Sequence, residues 1–261
     1  VKYLRLLSLY LRTSLMTDME YRANFAGSIV MTVFEVLWSA ASTVLFYQFT
    51  DTIGGWTFNE TLVVVGLLFV GFGFLDTVIW ANMEQLSLHV RKGTLDFILT
   101  KPINSQFHAT LQRIRMDRIA SILGGVFLIV YAMFQLRLAP SFSQWAMFLV
   151  LVFGAMLLLY ALLVMLGTLA FWTTETRGFT EIVFAILEIG RFPAAALPEP
   201  LRAIITFIIP IAFITTVPAE VLIGKLTPQF LFYGWVFALV SFFLCVRFWK
   251  YAVRNYSSAS S

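Results

Sequence analysis

Six stretches of this chain are predominantly apolar, at 25–48, 61–82, 112–134, 145–171, 179–195 and 229–248, with charged or proline-bearing segments between them. Each approaches or exceeds the roughly 20 residues that a helix rising about 1.5 Å per residue needs to cross a hydrocarbon core. The run "MFLVLVFGAMLLLYALLVMLGTLAF" has none of the apolar–polar alternation that marks a barrel strand. The pattern predicts an all-α integral membrane protein, with six transmembrane helices forming one domain over 1–261.

Two segments do not fit a plain span. At 1–22, "VKYLRLLSLYLRTSLMTDMEYR" sets Lys2, Arg5 and Arg12 among leucines and tyrosines. It has no compact apolar core followed by a small-residue cleavage site, so it predicts an amphipathic helix in the headgroup layer rather than a signal peptide. The second segment, "RFPAAALPEPLRAIITFIIPIAFITTVPAEVLIG", is apolar enough to span but is cut by Pro193, Pro198, Pro200, Pro210 and Pro218. Proline removes a helix donor, and Pro210 breaks the run near its middle. A pair of short helices at 197–225, entering and leaving one face, is tolerated where protein packs around it.

Composition agrees: 60% of residues are hydrophobic and 12% charged, and the mean hydropathy of +0.86 excludes a soluble globular domain. Positive charge resists translocation, so Lys and Arg set the orientation. With the N-terminus inside, only Arg137, Arg191, Arg202 and Lys225 of the 18 Lys and Arg fall outside. Both termini are then cytoplasmic. A seventh span would put the basic tail "RFWKYAVRNYSS" outside. A rival six-span order takes 203–223 as the fifth span and brings Arg191 and Arg202 inside, which charge alone slightly favours. The single Cys245 excludes a disulfide within the chain.

The stretch "VRKGTLDFILTKPINSQF" at 90–107 interrupts the apolar pattern between the second and third spans. Gly93 breaks one helix, "TLDFILT" forms a short second one, and Pro102 prevents easy continuation. By spacing alone it is either a docking face or a solvated basic loop that enforces topology. Its basic–Gly, acidic–aromatic and Lys-Pro-hydrophobic-Asn order resembles the cytoplasmic signature of bacterial ABC exporter permeases of the ABC-2 type. The proline punctuation from Phe192 to Gly224 is similar to the family's segment before its last span.

The resemblance implies an N-terminal interfacial helix, six spans, a coupling helix within the cytoplasmic loop 83–107, and an extracytoplasmic re-entrant pair before span six. It implies a separate ABC ATPase dimer that binds ATP and Mg, and a second permease chain, identical or related. Leu95, Asp96, Phe97, Ile98 and Leu99 would then sit near the ATPase cleft, flanked by Arg91 and Lys92.

Chemistry of the chain's own is sparse. "AEVLIGKLT" has Gly224 and Lys225, but Ala219 replaces the first glycine of a P-loop and Leu226 its Ser or Thr. Gly71 and Gly73 form G-x-G without the rest of a dinucleotide fingerprint, and tight helix packing accounts for them. His89 and His108 have no partner at metal-ligand spacing, so no metal and no cofactor are expected in this chain. No nucleophile elbow or zinc-protease helix occurs, which argues against an enzyme.

Acids inside spans are costly and face protein or water. Glu35 falls in the first span, Asp76 in the second and Glu188 in the fifth. Glu188 and Arg191 are three apart and pair on one helix face. Glu35 and Asp76 have no such partner. They are either a polar part of a transport route, suited to a cationic or zwitterionic amphiphile, or they hydrogen-bond Ser39, Ser42 or Thr77 in a packed interface. Trp38, Trp56, Trp80 and Trp145 fall near span ends as interface anchors.

The leading expectation is the permease subunit of an ATP-driven exporter that moves a hydrophobic or amphiphilic substrate across a bacterial cytoplasmic membrane, coupled to its separate ATPase through the first cytoplasmic loop, contacting lipid and no nucleic acid. An ion-coupled carrier or channel using Glu35 and Asp76, and a non-transporting scaffold, are the alternatives.

Overall fold

A computed structural model of the chain describes residues 2–173, 177–225 and 228–256. Among these residues no strand forms beyond one isolated bridge between Ile53 and Trp56; helices carry the architecture. Helix α1 (Lys2–Glu20) stops at Tyr21, whose φ of −107° and ψ of 48° break the helix for one residue before α2 (Arg22–Tyr47). Val30, Phe34, Leu37 and Trp38 stand exposed along α2, as a lipid-facing side would.

The following turn takes Gly54 and Gly55 through positive φ, 58° and 78°, a region open to glycine because it has no Cβ. Glu60 then accepts the Thr57 N–H at 2.8 Å and starts α3 (Phe58–Phe74). This helix is the axis of the bundle, with every residue from Thr61 to Phe69 buried. A π turn, Leu75–Trp80, joins it to α4 (Ala81–Arg91). The continuous rod Phe58–Arg91 is 34 residues long, about 51 Å, so one end protrudes beyond a hydrocarbon layer of ~30 Å.

Gly93 turns the chain at φ 69° into the short α5 (Asp96–Leu99). Asn104 then caps α6 (Ser105–Leu111) by accepting the Phe107 N–H at 2.9 Å. A 3-10 turn, Met116–Arg118, leads into α7 (Ile119–Gln135). The α3 and α7 backbones touch where glycines meet: a methyl on Gly66 would lie 2.6 Å from the Gly125 carbonyl oxygen. Small residues allow such an approach, and in lipid, where no hydrophobic force pairs helices, van der Waals contact drives their association.

Helix α8 (Phe142–Thr168) and the single turn α9 (Ala170–Thr173) run back beside α4, with Gly167 against Met83. Helix α10 (Arg177–Leu187) is extended by a 3-10 turn, Glu188–Arg191. Next come α11 (Glu199–Ala203) with a π turn, Ile204–Ile208, then α12 (Thr216–Ile223) and α13 (Pro228–Arg254). The segments Glu199–Phe207 and Ile211–Ile223 meet at one bend of 66°, with Pro210 at the break.

Among the described residues five helices are long and apolar enough to cross a membrane, or six if the bent pair Glu199–Phe207 plus Ile211–Ile223 counts as one span. The helix at the span expected over 179–195 is shorter than the sequence predicts and is not among these candidates. Its 11 α-helical residues and 4-residue 3-10 turn reach about 24 Å, and Pro193 prevents a longer helix. Both ends of the bent segment meet the turn before α3. A Cβ on Gly54 would strike the Ala195 carbonyl at 2.6 Å, and Lys225 Nζ donates to the Gly55 carbonyl at 3.0 Å and to Glu60 Oε2 at 2.8 Å.

Helix α1 is fastened along its length to 102–116. Lys2 Nζ donates to the Pro102 carbonyl at 2.7 Å, and Tyr3 packs edge-on against Phe107. Ser14 Oγ accepts the Ile114 N–H at 3.0 Å, and Asp18 accepts the Met116 N–H at 3.1 Å.

Candidate functional site

The acids of the apolar runs converge. Glu35 of α2, Asp76 of the π turn, Arg118 before α7, and Glu188 with Arg191 after α10 line one cleft of 380 Å³, with Trp38, Phe69, Phe72 and Phe184 among its walls. A π turn inserts one residue into a helix and redirects the side chains around it, and such turns gather at functional sites. Here it is held from outside. The Thr77 carbonyl accepts the Arg115 N–H at 2.9 Å. Asn82, fully buried, donates to the Val78 and Arg113 carbonyls at 2.7 Å each and accepts the Arg113 N–H at 3.0 Å.

Asp76 lies 4.0 Å from the Arg118 guanidinium, which also sits 3.5 Å from Asp117. Asp117 is shared further, accepting from Ser28 at 2.6 Å and Arg115 at 2.8 Å. Glu188 and Arg191 pair at 2.8 Å, as their spacing predicts. Glu35 has no hydrogen-bond or ion-pair partner among the described residues. The packed-interface alternative for both acids is not realised: Ser39 Oγ and Thr77 Oγ1 are buried without a hydrogen bond, and Ser42 donates to the Ser39 carbonyl instead. The site thus offers an unpaired carboxylate and a weakly paired one between aromatic walls.

Arg118 was invisible as the partner of Asp76, because residues 42 positions apart show no helical spacing. Its one signal was its place as the last cation in the first turns of the third apolar run, 112–134.

The 83–107 segment separates into two sides. Phe97 is 72% exposed and Arg91 and Lys92 are exposed, whereas Leu95 at 0% and Ile98 at 4% belong to the core with Leu86, Val90 and Ala109. Asp96 and Leu99 are half-buried between these sides. Leu95 and Ile98 therefore hold α5 down, and the outward face is that of Phe97, Arg91 and Lys92.

Beneath α5, His108 bridges Tyr10 Oη at 2.6 Å and Lys101 Nζ at 2.8 Å. An ammonium can only donate, so Nε2 accepts from Lys101 and the ring proton sits on Nδ1, facing Tyr10. Burial, then Lys101 and His89 nearby, hold the imidazole below its usual value. Among the described residues no three of His, Cys, Asp and Glu converge to hold a metal ion.

The family described as "ABC-2 family transporter protein" matches residues 29–260. The chain belongs to that family. The match covers the Glu35–Asp76 cleft, the α5 segment and the bent α11–α12 pair of this ABC-2 protein. No curated protein matches it. As a member it is a multi-pass membrane protein and a transporter permease, a role that implies an ABC ATPase as its partner.

Proposed function

We propose that the chain is the permease subunit of an exporter that carries a cationic or zwitterionic amphiphile across a bacterial cytoplasmic membrane. The observation that carries this reading is the meeting of Glu35 and Asp76 in one aromatic-walled cleft, without the hydrogen bonds that would make them packing residues. A carboxylate retained at membrane depth costs several kcal/mol or less, depending on hydration, and a cationic group arriving beside it relieves that cost. A separate ATPase dimer binds ATP and Mg and drives the cycle. The outward face of Phe97, Arg91 and Lys92 suits docking to it. A second permease chain, identical or related, completes the transporter.

Both termini face the cytoplasm in this reading, and α10 with its 3-10 turn is the fifth crossing. The α11–α12 pair then dips into the outer face and returns. Contact of Ala195 and Lys225 with one turn, Gly54–Glu60, supports it, because a segment whose two ends meet the same loop does not end on the far side.

The test reconstitutes the permease with its ATPase in vesicles and measures ATP-dependent amphiphile movement. Glu35→Gln with Asp76→Asn is expected to lower transport at least about tenfold, the factor that ~1.4 kcal/mol of lost contact commands. Capture of the ATPase by a cysteine at position 97, after Cys245→Ser, is expected to persist. Unchanged transport removes the cleft from the route, and failure of capture removes the docking face.

A further inference from the structure

A second cavity, of 290 Å³, lies where the α1–α2 elbow faces the start of α4 and the segment before α7. It differs from the cleft in kind. Asp18, Glu84, Asp117, Arg113 and Arg115 bring both signs of charge to it, and Tyr21 and Trp80 add aromatic rings. Three of these charges are engaged already: Asp18 accepts the Met116 N–H, and Arg115 pairs with Asp117 at 2.8 Å. Glu84 and the Arg113 guanidinium have no hydrogen-bond or ion-pair partner among the described residues.

The backbones that carry those two side chains are fixed. Asn82 clamps both the N–H and the carbonyl of Arg113, and sits two residues before Glu84 on α4. Both side chains are exposed, so solvent screens their mutual attraction. Here they share a cavity without closing on each other, which leaves room for a ligand with an anionic and a cationic group.

Amphipathic aromatics concentrate at the headgroup layer, and Trp80 and Tyr21 put the cavity at that level, on the side of α1. Their rings also give an ammonium a face to lie against. Trp80 packs edge-on against Phe184, with centroids 4.8 Å apart, and Phe184 belongs to the wall of the cleft, so the two spaces have a shared partition.

We propose that this cavity binds the headgroup of a zwitterionic phospholipid, its phosphate on Arg113 and its amine between Glu84 and Trp80. The site stands apart from the transport reading and does not depend on it. Arg113 supplies a planar donor fork suited to phosphate oxygens.

The permease is reconstituted in vesicles of phosphatidylethanolamine and phosphatidylglycerol in equal parts, and the lipid retained after gentle extraction is identified by native mass spectrometry. Phosphatidylethanolamine is expected to dominate on the unaltered chain. Glu84→Gln and Arg113→Gln are each expected to lower its retention about tenfold, and Glu84→Lys to shift the preference to phosphatidylglycerol. Arg12→Gln, on the exposed side of α1, serves as the control that retains the lipid. Neither Glu84 nor the Arg113 guanidinium makes an internal bond, so the variants keep the fold, which their thermal unfolding checks. Equal retention of both lipids, loss with Arg113→Gln but not Glu84→Gln, or no loss with either, overturns the proposal.

Discussion

At the scale of single residues, Arg118 is the most exposed to consequence. It stands between Asp76 and Asp117 and joins a buried polar cluster to the cleft. Asp117 keeps Ser28 and Arg115 when Arg118 is neutralised, but Asp76 keeps only the weaker attraction of Arg115. Arg118→Gln is therefore expected to destabilise the chain by about 1–3 kcal/mol, more than Asp76→Asn does. The double variant should recover part of the loss, because it no longer leaves one charge unpaired; thermal unfolding of the purified permease in detergent measures the cycle. His108 makes a second prediction. Its imidazole is held below 6.5 in the folded chain, so as pH falls through that value the unfolded or undocked state takes up a proton first. Docking of α1 is then fully present above about 6.5 and weakens as pH drops toward the lowered folded value. Protection of the α1 amides, taken relative to the intrinsic exchange rate at each pH, is expected to fall between roughly pH 7.5 and pH 5.5, and His108→Gln should abolish the difference.

At the scale of helices, α3 and α7 behave as one body because glycines let their backbones meet. Gly125→Ala sets a methyl against the Gly66 carbonyl and the Val70 N–H, which are backbone atoms that cannot turn aside. It is expected to cost about 1–3 kcal/mol, read as a lowered unfolding midpoint, whereas Gly27→Ala, with open space around it, should cost nothing. The long spans were legible in the sequence because uniform apolarity over 20 or more residues has few other solutions in a membrane. The crossing expected at 179–195 was less so. Its apolar count continues through Pro193, while the α-helix ends at Leu187, because composition records hydrophobicity and not the donor that proline lacks. The inward turn of Leu95 and Ile98 escaped for a similar reason: a mixed short helix has too few turns for its pattern to say which side is core.

At the scale of the whole molecule, the sequence located the cleft acids but not their assembly. Glu35 and Asp76 stood out because carboxylates are rare in apolar runs; that α2, the π turn and the 3-10 turn after α10 would face one space is a matter of tertiary packing. The same holds for α1. Its basic and apolar mixture announced an interfacial helix, yet the structure fastens it at both ends, to Pro102 beside α5 and to Met116 beside α7. One non-helical residue, Tyr21, separates it from α2, the helix that carries Glu35. A two-glycine insertion after Tyr21 is expected to leave ATP hydrolysis by the reconstituted transporter intact while transport falls, which parallel assays of phosphate release and amphiphile movement would reveal. A strut fastened along its length and joined to its neighbour through a single residue passes on displacement only as far as that joint is stiff, so in the proposed cycle the softness at Tyr21 sets how much of a movement at 102–116 arrives at the α2 side of the cleft and how much is lost as slip.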